Sequence, residues 1–312
     1  MSLSILDLFN LNSDILDVIN VYLPLDSHMS LLNVSRLFRS KYFLEYSKLC
    51  KLNKDLKNSL IEGTISHNNV DFYQYILQTI KAESEREHVY FAAFYGSLEL
   101  LEYLIIKIKY VFDVKLCSMA AKGGQLKVLK WARQQNPPCP WDEWTCAYGA
   151  KDGQSEVLKW ARQQNPPCPW DEWTCAYGAK YGQLEALKWA RQNGCPWSWD
   201  TCFNAAEEGH LEILKWARQQ NPPCPWDEWT CAYAALGENY KVVKWLYKNG
   251  CPWDKKTCEY AAENGNLKVL QWVRQQDPPC PWDKWTCVAA AKNKHTGILK
   301  WALQNGCPSD EL

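Results

Sequence analysis

Cysteine is the first residue type to consider for chemistry in this chain, because its thiolate can act as a nucleophile or bind a metal ion. Fifteen cysteines are present, and six pairs lie seven residues apart, the first being Cys139/Cys146 and the last Cys280/Cys287. A structural zinc site needs four sulfur or nitrogen ligands and usually contains a Cys-x-x-Cys pair, a spacing that no two cysteines have here. The pattern therefore favours small buried apolar side chains over metal ligands, and we predict no metal site.

The other reactive residue types form no catalytic pattern. Five histidines are scattered along the chain, without a zinc-binding His-Glu-x-x-His, a Gly-rich phosphate loop or a nucleophile beside a base. His210 stands at the entry to a helical stretch, which is a structural position. We expect no catalytic residues, no cofactor and no enzymatic activity.

Eighteen tryptophans fall into three sets that recur at fixed places. The first set lies at helical spacing from apolar residues, which predicts a place in the core: Trp131, Trp160, Trp189, Trp216, Trp245, Trp272 and Trp301. The second set follows a proline and is expected to pack on the next repeat: Trp141, Trp170, Trp197, Trp226, Trp253 and Trp282. The third set supplies the candidates for exposed anchors, because tryptophan is enriched at interface hot spots: Trp144, Trp173, Trp199, Trp229 and Trp285.

These positions recur because most of the chain is one repeated stretch. Residues Leu129–Tyr148 return letter for letter at Leu158–Tyr177 and at Leu214–Tyr233. Tryptophans of the first set follow one another at 27 or 29 residues, and two diverged copies around Tyr75 and Tyr103 precede them. A period of this length indicates a solenoid, here of about nine repeats.

Each repeat is predicted to be a helical hairpin with a stiff link. Asp142 caps a first helix over 143–151, and a second helix follows near 155–164. Three prolines within 166–169 then forbid continuation of the helix. Shorter links read Asn-Gly-Cys-Pro, where Gly194 and Gly250 are expected in the left-handed conformation. The predicted fold class is all-α.

The stretch 205–216, AAEEGHLEILKW, resembles the second-helix consensus of ankyrin repeats. The resemblance covers about residues 60–307 and implies an ankyrin-like α-solenoid. Ankyrin repeats run 33 residues with a β-hairpin finger, whereas only six residues separate the helices around Gly194, so the fingers are expected to be reduced. The Trp- and Cys-rich composition is similar to arrays of protists and large DNA viruses.

The N-terminal segment 11–42, LNSDILDVINVYLPLDSHMSLLNVSRLFRSKY, resembles an F-box, a three-helix module. Its most specific part is Val-Ser-Arg-x-Phe-Arg at 34–39. The resemblance implies an F-box-like module at 1–50 followed by the repeat array at 51–312. It also implies docking of a Skp-type adaptor through Ile15, Leu16, Ile19, Leu31, Val34 and Phe38. The alternative is that these helices merely cap the first repeat.

Composition restricts the choice of partner and compartment. The chain has 35 basic and 35 acidic residues, a formal net charge of zero, from which we expect no nucleic-acid and no membrane partner. The N-terminus lacks a secretory pattern. We therefore expect a cytoplasmic protein, in the host cytoplasm if it is viral, that is monomeric within a complex.

The remaining candidate for a binding surface is the segment around Asp142–Trp144 and Tyr148, where the sequences of the repeats differ. The residues predicted to contact an unknown target protein are Asp142, Glu143, Trp144, Tyr148, Trp173, Tyr177, Trp199, Trp229, Tyr233 and Trp285. If the F-box resemblance holds, the chain recruits that target to an SCF-type cullin/RING ubiquitin ligase. The alternative is an ankyrin-repeat binding or decoy scaffold with no ligase link.

Overall fold

Helical hairpins account for the architecture of this chain, which is known from a computed structural model. The model describes residues 54–80, 82–151, 155–237 and 239–309. These residues form eighteen α-helices and no strand, which confirms the all-α prediction. They fall into two compact units divided after Val111. The predicted module at 1–50 and its six adaptor-binding residues, Ile15, Leu16, Ile19, Leu31, Val34 and Phe38, lie outside the described residues.

The N-terminal unit contains two hairpins among its described residues. Its helices, numbered from the first one described, are α1 (Lys54–Ser66), α2 (Val70–Ile80), α3 (Arg86–Tyr95) and α4 (Leu98–Lys107). The Tyr73 hydroxyl and His88 Nδ1 are 2.7 Å apart in a buried hydrogen bond. Burial raises the pKa of Tyr73 to about 12. These two hairpins are the diverged copies that precede the regular repeats.

The C-terminal unit contains seven hairpins among its described residues, arranged in two layers. The first helices are α5 (Val114–Lys122), α7 (Glu143–Lys151), α9 (Glu172–Lys180), α11 (Trp199–Glu207), α13 (Glu228–Leu236), α15 (Lys255–Glu263) and α17 (Lys284–Lys292). The second helices are α6 (Leu126–Arg133), α8 (Ser155–Arg162), α10 (Leu184–Gln192), α12 (Leu211–Arg218), α14 (Tyr240–Lys248), α16 (Leu267–Arg274) and α18 (Thr296–Gln304). Neighbouring first helices pack directly on one another, and each second helix packs on its own first helix.

Helix boundaries follow the predicted capping chemistry. The Asp171 carboxylate accepts a hydrogen bond from the Trp173 amide at 3.1 Å and begins α9. Helix α8 ends at Arg162, slightly earlier than predicted, and the Gln164 side chain donates to the Trp160 carbonyl at 2.8 Å beyond that end. Gly194 and Gly250 adopt positive φ angles of 84° and 77°, as predicted for the short links. The links therefore fix the length of each hairpin.

The core is built from smaller residues than predicted. In α6 the fully buried side chains are Val128, Leu129 and Ala132, whereas Trp131 is only half-buried. The other tryptophans of the first set are half-buried in the same way and pack against the edge of the core. The predicted place in the core therefore holds only in part, since these tryptophans lie at its edge. Aliphatic residues on the same helix already fill the space between the layers.

All fourteen described cysteines are buried and free, which confirms the prediction of buried apolar residues. Their pairing differs from the seven-residue pattern in the sequence. Cys146 on α7 points its thiol at the Cys168 carbonyl, 3.9 Å away in the link after α8. The hydrogen bond with Cys146, followed by burial, raises the pKa of Cys168 well above its usual range. Each pair thus joins a first helix to the link that follows its own hairpin.

Candidate functional site

Aromatic side chains of neighbouring first helices form a band on one face of the C-terminal unit. We call this band the aromatic strip. Its members are Trp144, Tyr148, Trp173, Tyr177, Trp199, Phe203, Trp229, Tyr233 and Tyr260. Because each repeat places equivalent residues on equivalent faces, the strip runs across helices α7 to α15. It brings together most of the residues predicted to contact a target.

The first part of the strip lies on α7 and α9. The indole rings of Trp144 and Trp173 stack with centroids 6.3 Å apart and an interplanar angle of 23°. Tyr148 and Tyr177 meet edge to face at 5.7 Å. The ammonium group of Lys122 lies 5.5 Å from the centre of the Tyr148 ring, in cation–π range. These contacts hold the rings in fixed orientations.

The second part of the strip lies on α11, α13 and α15. Phe203 meets Tyr233 edge to face at 4.4 Å, and Tyr233 meets Tyr260 at 5.3 Å. Burial, followed by the neighbouring Tyr233, raises the pKa of Tyr260 to about 12. The Trp229 ring lies 6.3 Å from both tyrosines. Aromatic pairs of this kind stabilise the packing of successive repeats by about 0.5–1.5 kcal/mol each.

The tryptophans of the strip remain open to solvent despite these contacts. Trp173, Trp199 and Trp229 expose 39%, 43% and 36% of their surface. Contiguous exposed aromatic surface is a mark of interaction sites, and rigid tryptophan rings lose little conformational entropy on binding. The strip therefore has the chemistry of a protein-binding surface.

Three predicted residues behave differently from the strip. Trp285 on α17 is 51% exposed and has no aromatic neighbour among the ring pairs of the described residues. Asp142 and Glu143 are half-buried at the start of α7. Burial, and then the charge of Glu143, raise the pKa of Asp142. Asp142 therefore belongs to the helix N-terminus, and Glu143 borders the strip.

Sequence reasoning missed two members of the strip and one neighbour. Tyr260 follows Cys258 by two residues, as Tyr148 follows Cys146, so alignment of the repeats could have identified it. Phe203 follows Cys202 by one residue, in a repeat where the order of acid and tryptophan before the cysteine is also reversed. Tyr181 lies just beyond α9, where Lys151 Nζ is 4.6 Å from its ring centre. No repeated position marks it.

The second helices and links form a different aromatic surface, which we call the second-helix face. The guanidinium of Arg191 lies 4.0 Å from the centre of the Trp197 ring and donates a hydrogen bond to the Cys195 carbonyl. The Trp197 ring meets Trp216 of the next second helix edge to face at 5.8 Å. We call the arginine and its link tryptophan the Trp–Arg clasp. The same clasp is made by Arg133, Arg162, Arg218 and Arg274.

Charge is segregated between the two layers of the C-terminal unit. The seven second helices carry fifteen lysines and arginines but three acidic residues. The seven first helices carry eight basic and seven acidic residues, and aspartates cap most of them. The formal net charge of zero thus conceals a strongly basic second-helix face.

The described residues hold neither a candidate metal site nor a candidate membrane span. They contain no group of three or more His, Cys, Asp or Glu side chains placed to hold a metal ion. None of their helices is both long and apolar enough to span a membrane.

Comparisons with known proteins return structural neighbours only. No family model and no curated protein matches the sequence. Solved structures that match include the pentatricopeptide repeat protein PPR10 in complex with an 18-nt psaJ RNA element, at 12% identity and a TM-score of 0.42. A cysteine-to-serine variant of that protein with the same RNA element matches equally. In both cases the match covers 95% of this chain and 54% of the other.

The expectation of no nucleic-acid partner is corrected: these two neighbours are in complex with an RNA element, and the charges of this chain do not support the expectation. The expectation rested on a net charge of zero. Net charge does not report where charges lie, and here the basic side chains are concentrated on one layer of helices.

Proposed function

We propose that this chain is a protein-interaction scaffold that holds a target protein on the aromatic strip. The supporting observation is that the rings of Trp173, Trp199 and Trp229 are partly exposed to solvent although neighbouring aromatic rings hold them in place. Buried tryptophan anchors dominate the energy of many interfaces. The core beneath the strip consists of buried aliphatic residues, alanines and cysteines, which serve packing.

The experiment compares two double variants of the full chain. Trp173→Ala with Trp229→Ala removes two anchors from the strip, and Trp170→Ala with Trp226→Ala removes two link tryptophans of the same repeats from the second-helix face. Target proteins are co-purified from the source cell with each variant and with the wild type. A partner lost with the strip variant and kept with the link variant supports the proposal. Equal retention on both variants contradicts it.

We further propose that the target is delivered to an SCF-type cullin/RING ubiquitin ligase. This step rests on the resemblance of the N-terminal segment to an F-box, especially Val34 and Phe38 in the Val-Ser-Arg-x-Phe-Arg motif. The F-box-like segment would dock a Skp-type adaptor, and the array would bring lysines of the target near the ligase. The contribution of this chain would then be proximity, which raises the effective concentration of the target.

Adaptor binding is measured with the full chain and purified Skp-type adaptor. We expect retention at micromolar concentration, and loss in a Leu16→Glu, Phe38→Glu variant whose repeat array still unfolds cooperatively. Failure of the wild type to retain adaptor refutes the ligase link. The chain would then be the alternative, a binding or decoy scaffold, and the strip experiment would be unaffected.

A further inference from the structure

We infer that the second-helix face of the C-terminal unit binds single-stranded nucleic acid, a role separate from target binding on the aromatic strip. The concentration of fifteen basic against three acidic residues on these helices is the first observation. A linear row of positive charge is complementary to a phosphate backbone. The row follows the succession of the repeats, because each repeat packs on its neighbours.

Lysines recur at one register of this face, directly before the anchor tryptophan of each second helix. The residues are Lys130, Lys159, Lys188, Lys215, Lys244 and Lys300, with Gln271 in the remaining repeat. Lys188 and Lys215 pair with Glu185 and Glu212 of their own helices at 2.7 and 2.8 Å. Lys130, Lys159 and Lys300 make no ion pair among those of the described residues. Their charges are available to phosphates.

Aromatic rings and amides lie beside the lysines. A groove of about 290 Å³ is lined by Gln271, Arg274, Gln275, Trp282, Trp301 and Asn305. Trp282 and Trp301 meet edge to face at 5.9 Å in this groove, and both remain half-exposed. One repeat earlier the equivalent positions carry Trp253, Trp272 and the amide of Gln276, with Lys244 in place of Gln271, Tyr247 in place of Arg274 and Lys248 in place of Gln275.

This combination favours nucleic acid over other anionic partners. Ring faces stack on bases without regard to sequence, and the surrounding cations follow the backbone. Side-chain amides donate to and accept from the edges of bases. A sulfated sugar has the charge without the planar groups. Neighbouring helices lie about 8–10 Å apart, so the lysines present charge at regular intervals along an extended strand.

The test measures binding of labelled single-stranded oligoadenylate to the full chain by fluorescence anisotropy over a range of salt. The variant Lys130→Glu, Lys159→Glu, Lys300→Glu reverses three charges on the second-helix face. The control Lys122→Glu, Lys151→Glu, Lys292→Glu makes the same change in net charge on the first helices. We expect the first to lower affinity at least about tenfold and the control less than about threefold, since charge acts mainly within a Debye length.

A gain-of-function variant separates a loss of nucleic-acid binding from a loss of folding, because a misfolded protein would not gain affinity. Gln271→Lys restores the lysine found in the other repeats, so it should raise affinity and steepen the slope of log affinity against log salt by about 0.7. The inference is overturned if the wild type does not bind at low salt, or if both triple variants lose affinity equally. It is also overturned if an abasic oligonucleotide or heparin binds as tightly as oligoadenylate.

Discussion

Removing the arginine from one Trp–Arg clasp tests how the repeats are held together. The Arg191 guanidinium stacks 4.0 Å from the Trp197 ring centre and donates to the Cys195 carbonyl. A hydrogen bond from a charged donor contributes about 1.5–3 kcal/mol and an exposed cation–π contact about 0.5–1 kcal/mol. Arg191 is half-exposed, so the lower ends of these ranges apply. We expect Arg191→Ala to destabilise the array by about 2 kcal/mol.

The chain supplies a matched control for this variant. Tyr247 occupies the position of Arg191 before a link of the same length, and its ring stacks on Trp253 at 4.4 Å and 21°. Its hydroxyl also donates to the Asp277 carbonyl at 3.2 Å. Because Asn221 stands where Asp277 does relative to the next link, Arg191→Tyr can form the same contacts. We expect it to recover at least half of the loss.

Urea unfolding measures the global effect, and amide exchange at Cys195 measures the local one. The Cys195 amide donates to the Ala190 carbonyl at 3.0 Å, so it reports opening of that link. Local exchange is needed because long arrays can lose two-state behaviour. The reasoning is refuted if Arg191→Ala stays within about 0.5 kcal/mol of wild type, the range of ordinary surface substitutions. It is also refuted if Arg191→Tyr is as unstable as Arg191→Ala.

Three further outcomes follow from the described contacts. In a Cys50→Ser background, thiol reagents should label the described cysteines only as fast as the array opens, because all of them are buried. Rapid stoichiometric labelling in native buffer would contradict this. Burial raises the pKa of Asp283, but Lys255, whose ammonium group lies 2.8 Å from the carboxylate, holds that pKa below its usual range. This ion pair should therefore stabilise the fold above about pH 4 and lose its effect as the pH falls. Lys255→Ala should raise the pKa of Asp283 in an NMR titration. Gly237→Ala should destabilise the array because its Cβ would lie 1.8 Å from the Glu207 carbonyl oxygen, whereas Gly297→Ala in open space should be neutral or stabilising by circular-dichroism melts.

The helices were predictable because their boundaries depend on neighbours in sequence. The Asp171 cap and the prolines after Asn165 start or stop helices only a few residues away, so the local sequence was enough to locate the hairpins. Members of the strip were predictable for a related reason, since a repeat gives the same position the same environment. Phe203 escaped because its repeat shifts the aromatic residue by one place.

Contacts between residues that are distant in the sequence were not predictable from local patterns. The link after α8 folds back so that the Cys168 amide donates to the Ala161 carbonyl at 3.0 Å, and the Cys168 carbonyl then lies 3.9 Å from the thiol of Cys146, 22 residues away. In the sequence the cysteine nearest to Cys168 is instead Cys175, seven residues further on. The environment of Trp160 has a similar origin, because it includes the link tryptophan Trp141, whose ring centroid lies 6.0 Å away and 19 residues earlier in the sequence.

Substitutions between repeats restrict where a target can lie on the strip. The core positions keep their character throughout, but the Glu-Trp pair at the start of α7, α9 and α13 becomes Lys255-Lys256 in α15. Lys255 pairs with Asp283, and Lys256 with Glu259 at 2.8 Å, so α15 offers neutralised charge in place of an exposed ring. Because α17 lies beyond it, Trp285 is separated from the other tryptophans. A target that uses several anchors is therefore expected to span α7 to α13.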